Sequence, residues 1–470
     1  MFRSAVVALL LALSLGPALA AETLPRPIAA ALANHRLDGT GLSVFVQAVD
    51  GTAPLLAFNA DVLRSPASVI KLLTSYAALD ILGPAYHWET EVLVTGPVRK
   101  GRLEGDLVLR GGGDPGLSTE RFWTLLREIR ARGIREIAGD LVVDATLFAP
   151  NGEDPGDFDS QRYRAYNVLP SALLVNSNAV EFRILRDAEG VSVYLDPPLE
   201  GFRVENRIGD RQGPCSGFQR GVAFHLPDGF EGRHAVLSGA FPTGCDEYSL
   251  WRSVLPAPQF ADALFRALWR QLGGRIEGGL RVEATPADAQ QLLVYRSLPL
   301  NDQLRAINKW SNNPMTRHLL LTLGLEHAGA PATAEKGRAA VAAWLEAKGL
   351  AMPGLYLDNG SGLSRDTRVT AGGLGAMLLD AWRHPQMADF LASLPIAAND
   401  GTLRRRYAGD MAGRLSMKTG RLDEVSAIAG VMQSRSGQRY AVVVLLNAPD
   451  AHRGIGEAIQ DTVLRWVFER

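Results

Sequence analysis

Apolar runs at 41–49 and 54–58, joined through Asp50-Gly51, have the length and turn chemistry of a β-hairpin. The period then changes. Ser65-Pro66 reads as an N-cap followed by proline at the first helical position, and Val69, Leu72, Leu73, Tyr76, Leu79 and Leu82 keep helical spacing until Gly83-Pro84 stops it. From about 86 to 300 the pattern is one of short alternating runs, at 90–94, 105–110, 140–143 and 191–195, separated by Gly, Pro and Asp clusters. One helix, over 119–132, is predicted within this β-rich stretch. Helical spacing returns at 302–310, 314–323, 334–348 and 371–382, then strands at 414–420, 426–432 and 440–446. A last helix over 455–468 carries the apolar stripe Ile459, Val463, Trp466 and Val467. Two early strands and three late ones predict a five-stranded antiparallel sheet assembled from both ends of an α/β (α+β) chain. No fixed-period repeat marks a solenoid.

Arg3, the apolar run 5–15 and Ala18-Leu19-Ala20 form a secretory signal peptide over 1–20. Cleavage after Ala20 leaves 450 of the 470 residues, with no later run of the roughly 18 apolar residues that a membrane span needs. The expected location is periplasmic. That length exceeds one hydrophobic core and predicts about two to four domains. A hydrophobic content of 47% supports a fully folded chain, and a net charge of −1 gives no attraction to nucleic acid or an anionic membrane.

Cys215 and Cys245, the two cysteines of an exported chain, are expected to pair, closing a loop worth roughly 3–4 kcal/mol in the chain-entropy model. The alternative, one cysteine as nucleophile, has no histidine near either in sequence. The eight histidines contain no H-E-x-x-H and no close ligand pair, so a zinc peptidase is not indicated. Gly360-Ser361-Gly362 lacks the spacing of a nucleophile elbow and reads as a glycine-rich turn.

Chemistry is concentrated in three short motifs. Of six lysines only Lys71 has a serine three residues earlier, in Ser68-Val69-Ile70-Lys71; Ser311-Asn312-Asn313 is the single S-x-N; Lys418-Thr419-Gly420 is the single K-T-G. Residues i and i+3 of a helix share a face, so Lys71 can take the Ser68 hydroxyl proton, provided that burial or a second cation such as Lys418 keeps its amine partly neutral. First-turn N–H groups are unpaired, which offers the Ser68 N–H to an oxyanion, with the N–H of Arg421 as the second donor and Gly420 letting the substrate backbone lie close. Lys418 and Thr419 supply a cation and a hydroxyl for a carboxylate.

The motifs and the stretches around them resemble the penicillin-binding proteins, specifically the low-molecular-mass class C D-alanyl-D-alanine carboxypeptidases and endopeptidases. The resemblance extends to Ser65-Pro66-Ala67-Ser68, Gly105-Asp106-Leu107, Gly112-Gly113-Asp114-Pro115, Asn308-Lys309, the segment 358–364 and Asp400-Gly401-Thr402-Leu403. It implies a β-lactamase-like transpeptidase domain at 21–85 and 301–470, interrupted by a β-rich region at 86–300, in two subdomains of about 86–110 with 181–300 and 111–180. It further implies Ser68 as acylated nucleophile, Lys71 as proton acceptor, Ser311 as proton relay, Asn313 on the substrate backbone, and Lys418 with Thr419 on its terminal carboxylate. Peptidoglycan stem peptides are the implied partners and β-lactams covalent inhibitors; no cofactor or metal is implied. Arg421 departs from the pattern, since relatives often carry Ser or Thr there, and its side chain is expected to supplement or replace that hydroxyl.

Two other readings remain open. A class A β-lactamase shares the signatures but has its first two motifs far closer together, and uses a glutamate with no counterpart found here. A non-catalytic peptidoglycan-binding or sensor module would keep the fold without turnover. Sequence does not set the oligomeric state.

Overall fold

The computed structural model describes residues 23–150 and 152–470; the signal peptide expected at 1–20 lies outside the described residues. At its centre is a five-stranded sheet in the order Leu415–Leu422, Val425–Gln433, Arg439–Asn447, Leu42–Ala48, Leu56–Phe58, every neighbouring pair antiparallel. Both faces of this sheet are covered, and the period of two sorts its side chains. Val442, Val444 and Leu446 meet Ile459, Val463 and Val467 of the Ile455–Phe468 helix and Ile28 and Leu32 of the Arg26–Asn34 helix. Ala441, Val443 and Leu445 face the other way, into a helical layer with Leu72, Leu73 and Leu374. The Lys71–Leu82 helix is buried on nearly every side because it is the middle of that layer, between the sheet and the Asn313–Ala328 helix.

Its start differs from expectation. Residues Ala67–Ile70 form a 3-10 turn ahead of the α-helix, and the Ser65 side chain makes no cap. The Ser65 backbone is instead held from both ends by the Asn447 amide, whose Oδ1 accepts from the Ser65 N–H at 2.8 Å while its Nδ2 donates to the Ser65 carbonyl at 3.0 Å. The last strand of the sheet thus fixes the turn that carries Ser68.

The region between residues 86 and 300 is β-rich and has a separate core, but it contains two long helices. Besides Thr119–Ala131 there is Ala257–Gln271, whose Phe260, Leu264, Phe265 and Leu268 are buried in the same cluster as Phe122, Leu125 and Ile129. Several strand pairs here are parallel. Leu107–Arg110 pairs in parallel with Leu141–Asp144, which also pairs in parallel with Leu280–Val282. That sheet runs across the expected boundary between 110 and 111, so the strands do not divide at that point: the segment 111–180 shares a sheet with its flanks. Arg203–Pro214 pairs in parallel with His234–Gly244, and a disulfide between Cys215 and Cys245, Cα–Cα 4.6 Å, closes the ends of the two strands.

The β-rich region docks against the helices of the central domain through specific bonds. Gln303 Nε2 donates to Asp114 Oδ1 at 3.1 Å, His318 Nδ1 lies 3.0 Å from the Gly113 carbonyl, and Trp88 Nε1 donates to Thr322 Oγ1 at 2.9 Å. Among the described residues no helix is long and apolar enough to cross a membrane.

Candidate active site

Ser68 sits in the 3-10 turn, half-buried, with Lys71 one turn on and fully buried. Lys71 Nζ donates to Ser68 Oγ at 3.0 Å, to Asn313 Oδ1 at 2.7 Å and to the Ser361 carbonyl at 2.5 Å. The residue before Ser68, Ala67, has φ 45°, a left-handed conformation that costs an L side chain roughly 1–2 kcal/mol. The segment 358–364 wraps this turn. Gly360 accepts from Thr74 Oγ1 at 2.8 Å, and at Gly362, φ +78°, a Cβ would lie 2.0 Å from the Ala67 carbonyl oxygen. Glycine is required there to bring the Ser361 carbonyl onto the lysine.

Ser311 lies between the Leu300–Lys309 and Asn313–Ala328 helices with φ 58°. The second helix is capped by Asn312, whose Oδ1 accepts from the Met315 N–H at 3.0 Å. This fixes Ser311 and Asn313 on either side of the cap. Both ends of the Asn313 amide make a bond across the cleft, since its Oδ1 receives Lys71 and its Nδ2 donates to the Tyr166 carbonyl at 3.1 Å.

Lys418 enters from the edge strand. Leu415 and Met417 point into the core beneath the sheet, so by alternation Lys418 and Gly420 face the side of Ser68. Lys418 is fully buried, and its Nζ donates to Ser311 Oγ at 2.8 Å and to the Thr419 carbonyl at 2.7 Å. Gly420 packs against the turn that carries Ser68: a Cβ there would be 2.5 Å from the Pro66 oxygen and 3.0 Å from the Ser68 nitrogen. The glycine therefore makes room for the protein's own turn, where room for substrate was expected. The strand's outer edge is partly occupied. Met417 N–H bonds to the Pro395 carbonyl and Leu415 accepts from Ala397, so odd-numbered residues turn their backbone polar groups outward. Continued without a register shift, the alternation leaves the N–H groups of Thr419 and Arg421 on the free edge beside Ser68.

The electrostatics follow from burial. Neither amine has a carboxylate among its hydrogen-bond partners. Desolvation, with the Lys418 charge added, holds Lys71 well below the ordinary lysine range, and desolvation brings Lys418 from 10.5 down to about 7. A neutral amine beside a serine hydroxyl is able to act as its base.

Three participants escaped the sequence reading. The Ser361 carbonyl is a backbone atom, and only the flanking glycines hint at it. Tyr166 reaches in from the β-rich region. Thr402 accepts from Thr419 Oγ1 at 2.8 Å, so the Thr419 hydroxyl expected on a carboxylate is donated to a neighbour. Ser68, Asp159, Ser311, Arg421, Asp423 and His452 line one cleft of about 340 Å³. Arg421 is exposed there, and among the described residues no ion pair holds its guanidinium. Among the described residues no group of three or more His, Cys, Asp or Glu is placed to hold a metal ion.

Residues 24–467 match the D-Ala-D-Ala carboxypeptidase 3 (S13) family. The chain is 31% identical to the D-alanyl-D-alanine carboxypeptidase of Actinomadura sp. (strain R39), covering 85% of this chain and 76% of that one. It is 25% identical to the D-alanyl-D-alanine carboxypeptidase DacB of Haemophilus influenzae, over 87% and 86% of the two. The crystal structure of penicillin binding protein 4 (dacB) from the same organism superposes with a TM-score of 0.78 at 23% identity, covering 94% of this chain and 99% of that one. A second structure of that protein, complexed with a β-lactam, gives 0.71 at 22% identity, over 94% and 99%.

Proposed function

Because the chain belongs to the D-Ala-D-Ala carboxypeptidase 3 (S13) family and is a serine-type carboxypeptidase, we propose that it cleaves the terminal D-Ala-D-Ala bond of peptidoglycan stem peptides, and the matching bond of cross-links, through an acyl-enzyme on Ser68. The observation that carries this is the contact between Ser68 Oγ and the buried Lys71 amine at 3.0 Å. Neutral Lys71 takes the hydroxyl proton as Oγ bonds to the carbonyl carbon of the penultimate D-alanine. The oxyanion lies between the N–H groups of Ser68 and Arg421, an arrangement in which each donor contributes about 10²–10³ in rate. Ser311 gives its proton to the departing nitrogen as the C–N bond breaks, and regains one from the Lys418 ammonium 2.8 Å away. The proton taken up at Lys71 balances the one that Ser311 gives away, the two amines being coupled through their charges. Water then attacks the ester, Lys71 taking its proton, and Ser68 is released.

In this reading Asn313 orients Lys71 first and meets substrate only with the remaining capacity of its amide, and Lys418 with Arg421 receives the terminal carboxylate. β-Lactams, whose ring carbonyl mimics the scissile one, acylate the same serine. Residues 21–85 and 301–470 form the acyltransferase unit and 86–300 the insertion, a division supported by their largely distinct apolar clusters, which join at Trp88 and where Phe148 and Ala172 meet Leu321 and Ala332. The working compartment is the periplasm, with 1–20 as the export signal.

Mass spectrometry of the intact protein after exposure to penicillin should find one persistent adduct, on Ser68 and lost in Ser68→Ala, together with D-alanine released from pentapeptide. Rapid release of hydrolysed penicillin would favour a β-lactamase, and adduct without D-alanine release a binding module.

A further inference from the structure

The catalytic cleft continues past Ser311 and Asn313 into a second groove of about 430 Å³. Tyr166, Ser311 and Asn313 line both, so the two are one continuous surface. Its walls come from both halves of the molecule: Asn176, Ser177 and Trp251 from the β-rich region, Trp310 and Met315 from the helices around Ser311. A few hundred Å³ with aromatic walls and scattered amides is the build of a small-ligand site.

Three features separate this groove from ordinary surface. Trp310 is 62% exposed and Trp251 48%, although indoles are among the most strongly buried side chains on average. Arg404 stands over one face of the Trp310 ring, 5.7 Å from its centroid. The wall between them is strained: Asn176, Ser177 and Asn178 have φ of 50°, 50° and 51°, three successive left-handed residues without a glycine. Such strain, roughly 1–2 kcal/mol at Ser177 and less at the two asparagines, whose side chains tolerate this region, persists where the surroundings enforce it, and here the Asn176 N–H is tied to the Leu117 carbonyl at 2.8 Å. Finally, no residue lining the groove carries a charge, whereas the cleft beside Ser68 has Asp159, Arg421 and Asp423.

That difference in charge sorts the parts of a peptidoglycan substrate. The stem peptide bears carboxylates and fits the charged cleft; the N-acetylated sugars of the strand to which it is attached are neutral. We propose that the groove holds such a neutral N-acetylated sugar, its apolar C–H face on the exposed indoles and its hydroxyl and acetamido groups toward Asn176, Ser177 and Asn312. The electropositive C–H edges of a pyranose suit the negative face of an aromatic ring as ring edges do. This rests on the peptidoglycan reading and adds to it a preference for stem peptide still attached to sugar.

The test is the ratio of kcat/KM for disaccharide-pentapeptide to that for pentapeptide alone. The wild-type protein should show a ratio of about 10, falling toward 1 in Trp251→Ala and largely kept in Trp251→Phe. A wild-type ratio of 1, or a ratio untouched by Trp251→Ala, overturns the proposal. Should neither substrate be cleaved, the peptidase reading fails by itself. The groove is then read from tryptophan fluorescence of Ser68→Ala titrated with N-acetylglucosamine oligosaccharide: a saturable change lost in Trp251→Ala supports it, and no saturable change overturns it.

Discussion

Lys418 illustrates how a residue can cost the fold what it gives the site. In the folded state its pKa falls from 10.5 to about 7 through desolvation, so between those pH values the unfolded chain binds a proton that the folded one refuses. Its contribution to stability therefore improves as pH rises from 7 to 10.5, and its penalty is fully present below 7. Lys418→Met should abolish turnover while its stability relative to the parent grows as pH is lowered from 10.5 to 7; equal differences in urea midpoint at both ends would refute this. Gly420 makes the converse case, a residue whose lack of a side chain is the function. In Gly420→Ala the new Cβ meets the Pro66 carbonyl oxygen, a backbone atom, at 2.5 Å, and the edge strand must move off the turn that carries Ser68. We expect penicillin acylation to slow about 10²–10³-fold, the value of one oxyanion donor, with a melting temperature only slightly lower; unchanged acylation would mean that Arg421 N–H is not that donor. Ser68, Lys71, Ser311 and Lys418 were legible in the sequence because a serine and an amine at helical spacing, and a second buried amine, are chemically conspicuous. The Ser361 carbonyl was not, because every residue has one.

Among the elements, the Asn313–Ala328 helix bears directly on the site, since its cap lies between two site residues. Asn312→Ala removes the bond to the Met315 N–H and should cost about 1 kcal/mol in chemical denaturation, with Asn312→Asp recovering most of it. Because Ser311 and Asn313 flank the lost bond, acylation by penicillin should fall in the alanine variant and recover in the aspartate one; equal rates in both would separate the cap from the site. Most helices and strands of the central domain could be read from their apolar runs and the turn and capping residues that bound them, even where both faces are buried, as in Lys71–Leu82 and Val425–Gln433. The Ala257–Gln271 helix could also have been found, as Phe260, Leu264, Phe265 and Leu268 have helical spacing behind Pro256, but it is embedded in short strands whose alternation dominates its neighbourhood. The parallel pairing of Leu107–Arg110 with Leu141–Asp144 was beyond reach. Parallel partners are set by the path of the chain between them, and no local pattern records that path.

At the scale of the whole molecule, the β-rich region has its own apolar cluster and its own disulfide, and it meets the central helices near Asp114, Gly113, Trp88 and Tyr166 and through a small shared cluster of Phe148 and Ala172 with Leu321 and Ala332. Replacing both Cys215 and Cys245 with serine should therefore destabilise that region by roughly 3–4 kcal/mol in the chain-entropy model, yet leave the rate of Ser68 acylation by penicillin within about twofold; a parallel loss of acylation would show that the two domains unfold as one. The order of the central sheet carries one more consequence. Leu42–Ala48 takes its inner partner from Arg439–Asn447, with Leu42 opposite Leu446 and Ala48 opposite Tyr440. While a ribosome is still adding residues short of that hairpin, the serine and its lysine have been made, but the framework that dries and aligns them has not. Chains cut short of residue 439 should therefore form no penicillin adduct, because the strand that holds the turn carrying Ser68 is missing.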